Sequence, residues 1–269
     1  MIKVDLNVSV LLKEYPFLER FDQAAKLGFE AVEFYWHREE NPNDVASRAL
    51  DAGLKVAAFN FDAGDLPSGD RGLLSDPERQ SQLRDNVPVA LELAHKVGCR
   101  KLTALAGNLR PNEDRENQLD FVRENLRWVC EQANEAGVTV MVEAINGWDN
   151  KLYPFTNTRD TLSFLDSVNA PNLLYLFDIY HMQRMEGNLV STLKEHADKI
   201  GHIQIADSPH RHQPGTGEIN YRFVFEAIET SGYDGSVGLE YNPLGSTEES
   251  LKWLPKEHRK AITLESLLL

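Results

Sequence analysis

Eight short apolar runs recur along the chain, each bounded by turn residues or by a helical pattern: Ile2–Val8, Ala31–Tyr35, Lys55–Phe61, Lys101–Ala106, Val138–Ile145, Leu173–Ile179, Gly201–Ala206 and Ser236–Tyr241. Several are continuous rather than alternating, as in Val138-Thr139-Val140-Met141-Val142 and Leu173-Leu174-Tyr175-Leu176-Phe177. Strands covered on both faces read this way, and parallel sheets are covered on both faces. The intervening segments carry helical spacing instead. Phe17-Leu18, Phe21, Ala24-Ala25 and Leu27 share one face before Gly28; Val87, Ala90-Leu91, Leu93-Ala94 and Val97 do so before Gly98; Phe121-Val122, Leu126, Val129 and Ala133 do so before Gly137. A helix that stops at glycine just ahead of a strand is the expected αβ connection.

Strand and helix therefore alternate throughout, which predicts an α/β fold with a parallel sheet. Eight repeats suit a closed (β/α)₈ TIM barrel. Such a barrel needs about 250 residues, so one domain spanning residues 1–269 uses the whole length. An open doubly wound sheet is the alternative that periodicity alone leaves standing.

Composition changes this picture little: hydrophobic residues make up 42% and charged residues 26%, ordinary for a globular protein. No apolar run approaches the roughly 20 residues of a membrane span, and the first residues do not read as a signal peptide. The expectation is a cytoplasmic protein with no membrane partner. Charge narrows the partners further. A net −14 repels phosphate backbones, which speaks against nucleic acid. Cys99 and Cys130 lack metal-type spacing and are expected to be reduced, buried thiols. The helix faces are compatible with a homo-oligomer.

Candidate chemistry enters where polar residues interrupt the strands, because barrel active sites lie at the carboxyl ends of strands. Each of the last four runs carries one there. Val140-Met141-Val142 leads into Glu143, Leu176-Phe177 into Asp178, and Val237-Gly238-Leu239 into Glu240, while Gln204 sits within His202-Ile203-Gln204-Ile205. A carboxylate at the end of a doubly covered strand is costly to desolvate unless it is paired, hydrogen-bonded or metal-bound. Each could instead bridge to Arg or Lys inside the barrel. Three anions and an amide at one mouth would repel one another, and one divalent cation answers both problems. An all-oxygen donor set favours Mg²⁺ or Mn²⁺ over zinc.

Histidines and loops supply further candidates. His181 lies three residues after Asp178 and is placed either to bind substrate or to orient a carboxylate. His210 and Arg211 follow the seventh run, and His202 faces the same side of its strand as Gln204 in a supporting position. The loop Ala63–Gly72 is long enough to act as a lid, with Arg71 offering a guanidinium fork to a substrate carboxylate; a solvated loop is the bland alternative. Pro214-Gly215-Thr216-Gly217-Glu218 lacks phosphate-loop spacing and reads as a tight turn shaping the mouth. Trp36 and Phe61 suit either a mouth lining or plain packing.

The segments Asp178-Ile179-Tyr180-His181-Met182-Gln183-Arg184-Met185-Glu186-Gly187 and Ile200-Gly201-His202-Ile203-Gln204-Ile205-Ala206-Asp207, with Pro209-His210-Arg211 and Pro214 to Tyr221, resemble the hydroxypyruvate isomerases. The likeness runs from Asn7-Val8-Ser9 and Glu14-Tyr15 to Glu240-Tyr241 and is most specific between residues 178 and 221. That family belongs to the xylose-isomerase-like TIM barrels. The resemblance implies a metal held by Glu143, Asp178, Gln204 and Glu240, with the two glutamates also handling protons. Related ketose 3-epimerases usually carry His where Gln204 stands, so Gln204 favours the hydroxypyruvate isomerase branch. Isomerases of four-carbon 2-oxo sugar acids (2-oxo-tetronates) share the branch, and no short motif separates them.

The expected reaction interconverts hydroxypyruvate and tartronate semialdehyde through an enediolate, with a small hydroxy-oxo acid as the substrate. His181 and Arg211, with Arg71 and His210 beside them, are the candidates for holding substrate oxygens. Two other classes compete. Zinc-dependent abasic-site endonucleases need nitrogen ligands and a surface that tolerates DNA, which Gln204 and the acidic charge oppose. A barrel that only binds sugar acids would be expected to have lost Glu143 or Glu240.

Overall fold

A computed structural model describes residues 1–269. Eight parallel strands close on themselves: β1 (Ile2–Asn7), β2 (Ala31–Phe34), β3 (Lys55–Asn60), β4 (Lys101–Thr103), β5 (Thr139–Glu143), β6 (Leu173–Asp178), β7 (Ile200–Ile205) and β8 (Ser236–Leu239). Neighbours pair in chain order, and β1 pairs with both β8 and β2, which makes the sheet a barrel and removes the open-sheet alternative. A two-residue strand, β9 (Ala261–Ile262), pairs antiparallel with the start of β1.

Helices α1 (Arg20–Lys26), α2 (Pro42–Asp51), α3 (Gln80–Val97), α4 (Arg115–Glu135) and α5 (Thr158–Val168) follow the first five strands in turn. Two helices, α6 (Ile179–Met185) and α7 (Leu189–His196), follow β6; α8 (Tyr221–Thr230) follows β7, and a single turn, α9 (Thr247–Ser250), follows β8. Gly98 caps α3 at φ +67°, a left-handed conformation that a Cβ disfavours, so this helix does end where the pattern placed its stop. The predicted runs overshoot the observed strands by one to three residues, most at β4, because apolar residues continue into loops that pack over the barrel end. Both cysteines are free and buried, and burial pushes each thiol up to about 12. No helix is long and apolar enough to cross a membrane.

The core has two parts. A cluster of 76 buried residues fills the space between strands and helices. A separate set of three, Ala58, Met141 and Leu176, lies apart from it. Met141 and Leu176 each precede a site carboxylate by two, so strand alternation puts them on the inward face beneath Glu143 and Asp178. The barrel interior is thus apolar on one side and, unusually, charged on the other. There Asp5, Asn7, Glu33, His202 and Gln204 are all buried.

Gly238 makes room for that polar half. It pairs with Gln204 and with Asp5, and an added Cβ would lie 2.6 Å from Glu33 Oε1. Glu33 cannot swing away, because His202, Asn7 and Gln204 hold its carboxylate. Gly238→Ala is therefore expected to destabilise the fold by about 1–3 kcal/mol, as overpacking does. A lowered urea midpoint at unchanged m-value checks it.

Candidate active site

Three of the four strand-end residues come from adjacent strands in matched register. Asp178 of β6 lies beside Gln204 of β7, and Gln204 beside Gly238 of β8, two residues before Glu240. Glu143 ends β5 next to Leu176. All four side chains are buried at the carboxyl end of the barrel.

Their surroundings differ. Asp178 is the N-cap of α6: its Oδ1 accepts the Tyr180 amide at 2.8 Å, while Oδ2 is buried with no hydrogen-bond partner. Gln204 donates through Nε2 to Glu33 Oε1 at 2.9 Å and to Glu240 Oε2. Two carboxylates on the amide nitrogen fix its orientation and leave Oε1 buried and unpartnered. Glu240 is the most heavily engaged. Its Oε1 accepts from Tyr35 Oη at 2.6 Å and from Arg211, and its Oε2 accepts from Asn7 at 3.1 Å.

Crowding of anions shows in their titration. Burial, then the charges of Glu240 and Asp178, hold Glu143 well above the usual carboxylate range. Burial raises Asp178 to about 7, opposed by the Arg211 guanidinium 3.7 Å away. Glu33 is raised to about 8 by burial and then by Glu240. Burial and like charge thus favour the protonated forms of these carboxyls, and a nearby cation would favour the ionised ones. The unpartnered Asp178 Oδ2 and Gln204 Oε1, beside carboxylates that repel one another, fit a hard divalent cation with oxygen ligands.

His181 sits one turn into α6, and its Nε2 is 3.5 Å from both Glu143 Oε1 and Asp178 Oδ2. Burial, and then Arg211, lower its pKa well below the imidazole range. Arg211 comes from the loop after β7 at φ +59°, and its guanidinium lies 5.4 Å from the Tyr180 ring centre.

That loop is wound around one buried carboxylate. Asp207 Oδ2 accepts the backbone amides of Gly215, Thr216 and Gly217 at 2.9–3.0 Å, and Oδ1 accepts those of Ser208 and Ile219. The glycine-rich stretch is the tight turn that its spacing suggested, closed on the chain's own anion.

A cavity of about 260 Å³ opens above the cluster, and Tyr35, Arg71, Glu143, His181, Arg211 and Glu240 line it. Arg71 reaches it from the loop after β3, anchored by Nε to Asn150 Oδ1 at 2.5 Å and by Nη1 to two backbone carbonyls. Asp178 and Gln204 do not line it, and of the predicted substrate-binding residues His210 alone stays out. It is exposed and does not line the cavity. Phe61 is core, and Trp36 packs against the core, so neither lines the mouth.

Four participants escaped the sequence reading: Asp5, Asn7, Glu33 and Tyr35. Asp5 and Glu33 carry the same signal used for the last four strands, a carboxylate inside a doubly covered run (Val4-Asp5-Leu6, Val32-Glu33-Phe34). Glu33 holds Gln204, His202 and Asn7 together, with His202 Nε2 at 2.7 Å.

A family profile described as xylose isomerase-like TIM barrel matches residues 21–257. The chain is 40% identical over 254 residues to hydroxypyruvate isomerase of Escherichia coli (strain K12), spanning 94% of this chain and 98% of that protein. It is 39% identical over 248 residues to 2-oxo-tetronate isomerase of Cupriavidus necator, spanning 92% and 95%. A crystal structure described as an AP endonuclease of family 2 from Brucella melitensis superposes at TM-score 0.89 and 36% identity, over 94% of this chain and 98% of that one. With likeness at this level over nearly its whole length, the chain belongs to the xylose isomerase-like TIM barrel family, among the isomerases named for hydroxypyruvate and 2-oxo-tetronate.

Proposed function

We propose that this enzyme is a metal-dependent isomerase of small hydroxy-oxo acids, interconverting hydroxypyruvate and tartronate semialdehyde. The observation that carries the reading is the unpartnered pair Asp178 Oδ2 and Gln204 Oε1, flanked by the cavity-lining carboxylates of Glu143 and Glu240. Glu143, Asp178, Gln204 and Glu240 would hold Mg²⁺ or Mn²⁺; Glu240 would join once Arg211 and Tyr35 yield its Oε1. A bound divalent cation supplies electrostatic stabilisation of the negative charge that develops on substrate oxygen.

The chain's own groups then move protons. One glutamate takes a proton from C3 of hydroxypyruvate, the released electron pair forms the C2–C3 double bond, and the C2 oxygen takes up the carbonyl pair. The hydroxyl proton on O3 passes to O2, a proton is delivered to C2, and C3 becomes the aldehyde. Glu143 and Glu240 both line the cavity, which suits removal and return. His181 and Arg211 donate to substrate oxygens. Arg71, pre-oriented by Asn150, pairs with the substrate carboxylate.

The four-carbon 2-oxo-tetronate is the second reading, favoured by the relative from Cupriavidus necator at nearly the same identity. Side-by-side kcat/KM values for the two substrates decide between them. The nuclease name of the Brucella structure finds less support here, because a net charge of −14 opposes a DNA backbone.

Chelation is expected to lower turnover on the order of 10²–10³-fold, with recovery on adding Mg²⁺ or Mn²⁺. Full activity in protein shown to be metal-free would end the metal reading. Arg71→Met is expected to raise KM by roughly 10–100-fold, the value of a charge-assisted hydrogen bond, while kcat changes less. An unchanged KM would remove Arg71 from substrate binding.

A further inference from the structure

The loop after β5 touches His181 at the ring nitrogen remote from the carboxylates. Nδ1 of His181 receives the backbone N–H of Asn146 at 3.2 Å and lies 2.8 Å from Asn146 Nδ2. The amide orientation is settled by its other contacts: Oδ1 accepts the Asp149 backbone amide at 3.0 Å, and Nδ2 donates to Asp149 Oδ2 at 3.0 Å. A flipped amide would set its nitrogen against a backbone N–H and its oxygen against a carboxylate. Both groups facing Nδ1 are thus donors, and Nδ1 must present its lone pair.

The consequence falls on the other nitrogen. An imidazole whose Nδ1 presents its lone pair carries its proton at Nε2, the atom 3.5 Å from Glu143 and Asp178. Glu143, Asp178 and His181 offer donor atoms within 4.8 Å of one another, a spacing that would otherwise suit a shared metal. An Nε2 bonded to a cation would require the proton at Nδ1, pointed at two N–H groups. Asn146 is fully buried, so no water relieves that clash.

We propose that Asn146 is a positioning residue that locks His181 as its Nε2–H tautomer, making the ring a hydrogen-bond donor toward substrate oxygen and withholding it from the metal. The substrate half of this rests on the isomerase reading above; the tautomer half does not. Asn146 is itself braced through Asp149, which accepts from Tyr180 Oη at 3.1 Å, and Tyr180 in turn accepts from Arg184 Nη1 at 3.0 Å. The loop is therefore tied to the same helix that carries His181.

The test is ¹⁵N NMR of the full chain labelled at its histidine rings, with His181 assigned by its loss in His181→Gln. The expected spectrum shows Nε2 protonated and Nδ1 bare, unchanged in class when Mg²⁺ is added. A bare Nε2 in wild type, or loss of its proton on adding Mg²⁺, overturns the proposal even if Asn146→Asp does not fold. In Asn146→Asp the new carboxylate should draw a proton to Nδ1 and lower kcat about tenfold, roughly the effect of one hydrogen bond. A fall in kcat with an unaltered His181 spectrum, or no change in either, also overturns it. If neither hydroxypyruvate nor 2-oxo-tetronate is turned over while the wild-type spectrum is as expected, the functional reading fails and the tautomer lock stands.

Discussion

Replacing Glu143 by Gln is expected to lower kcat/KM by about 10²–10⁴-fold, the usual value of a positioned proton-transfer group. Gln keeps the shape and one oxygen, so the cavity above the cluster is preserved while the base is lost. The same variant is expected to be more stable than wild type once metal is stripped. Burial among Glu240 and Asp178 raises the Glu143 pKa in the folded state above its unfolded value. A carboxyl raised on folding is tolerated best when protonated, so its stability contribution is lost as pH climbs above the unfolded value of about 4.3. Gln does not titrate. The melting-temperature advantage of Glu143→Gln over stripped wild type should therefore widen from about pH 5 toward pH 8. Near-full turnover in the folded variant would remove Glu143 from proton transfer, and a stability gap that is flat with pH would remove the like-charge account.

Asp207→Ala is expected to cost about 3–5 kcal/mol, at the top of the range for single substitutions. Five backbone amides lose their acceptor together, and the turn has no other acceptor in place. Rearrangement is blocked as well: Gly217 passes so close to the Ser208 carbonyl that a Cβ would lie 2.0 Å from its oxygen. For a chain of this size each kcal/mol moves the melting temperature by about 2–4 °C, so a fall on the order of 10 °C is expected. Activity should fall too, because Arg211 rides on this loop: its amide donates to the Asp207 carbonyl at 2.9 Å, and its own carbonyl accepts from Asn242 at 2.7 Å. Asp207→Asn should recover little, since its NH₂ must face donors at one of the two oxygens. Calorimetry of the two variants, with kcat/KM measured well below the melting point, separates the loss of fold from the loss of Arg211 placement.

Glu143 and Asp207 differ in how far the sequence reveals them. Glu143 was visible in the sequence because a carboxylate at the end of Val140-Met141-Val142 breaks the pattern of a doubly covered strand. The same signal marks Glu33 and Asp5 in the first two strands. Asp207 was not visible as a loop anchor. Its sequence neighbourhood, Ala206-Asp207-Ser208-Pro209, is indistinguishable from a solvated turn until residues 215–219 are seen to close around it. Arg211 and His210 are adjacent and chemically similar as site candidates, yet only Arg211 lines the cavity, which the folded loop alone reveals.

Alternation of strands and helices, the glycine stops, and four oxygen-bearing side chains near the ends of successive strands are all legible in the sequence. Those follow from local physics: periodicity reports which faces are buried, and a charge within an apolar run must have a reason. Tertiary structure alone decided which lone pairs remain free. Gln204 offers its carbonyl oxygen because two carboxylates, one of them 171 residues away, hold its nitrogen. His181 turns Nε2 toward Glu143 because a loop from another strand holds Nδ1. Hydrogen-bond direction depends on every partner an atom has, and these partners are brought together only when the barrel closes.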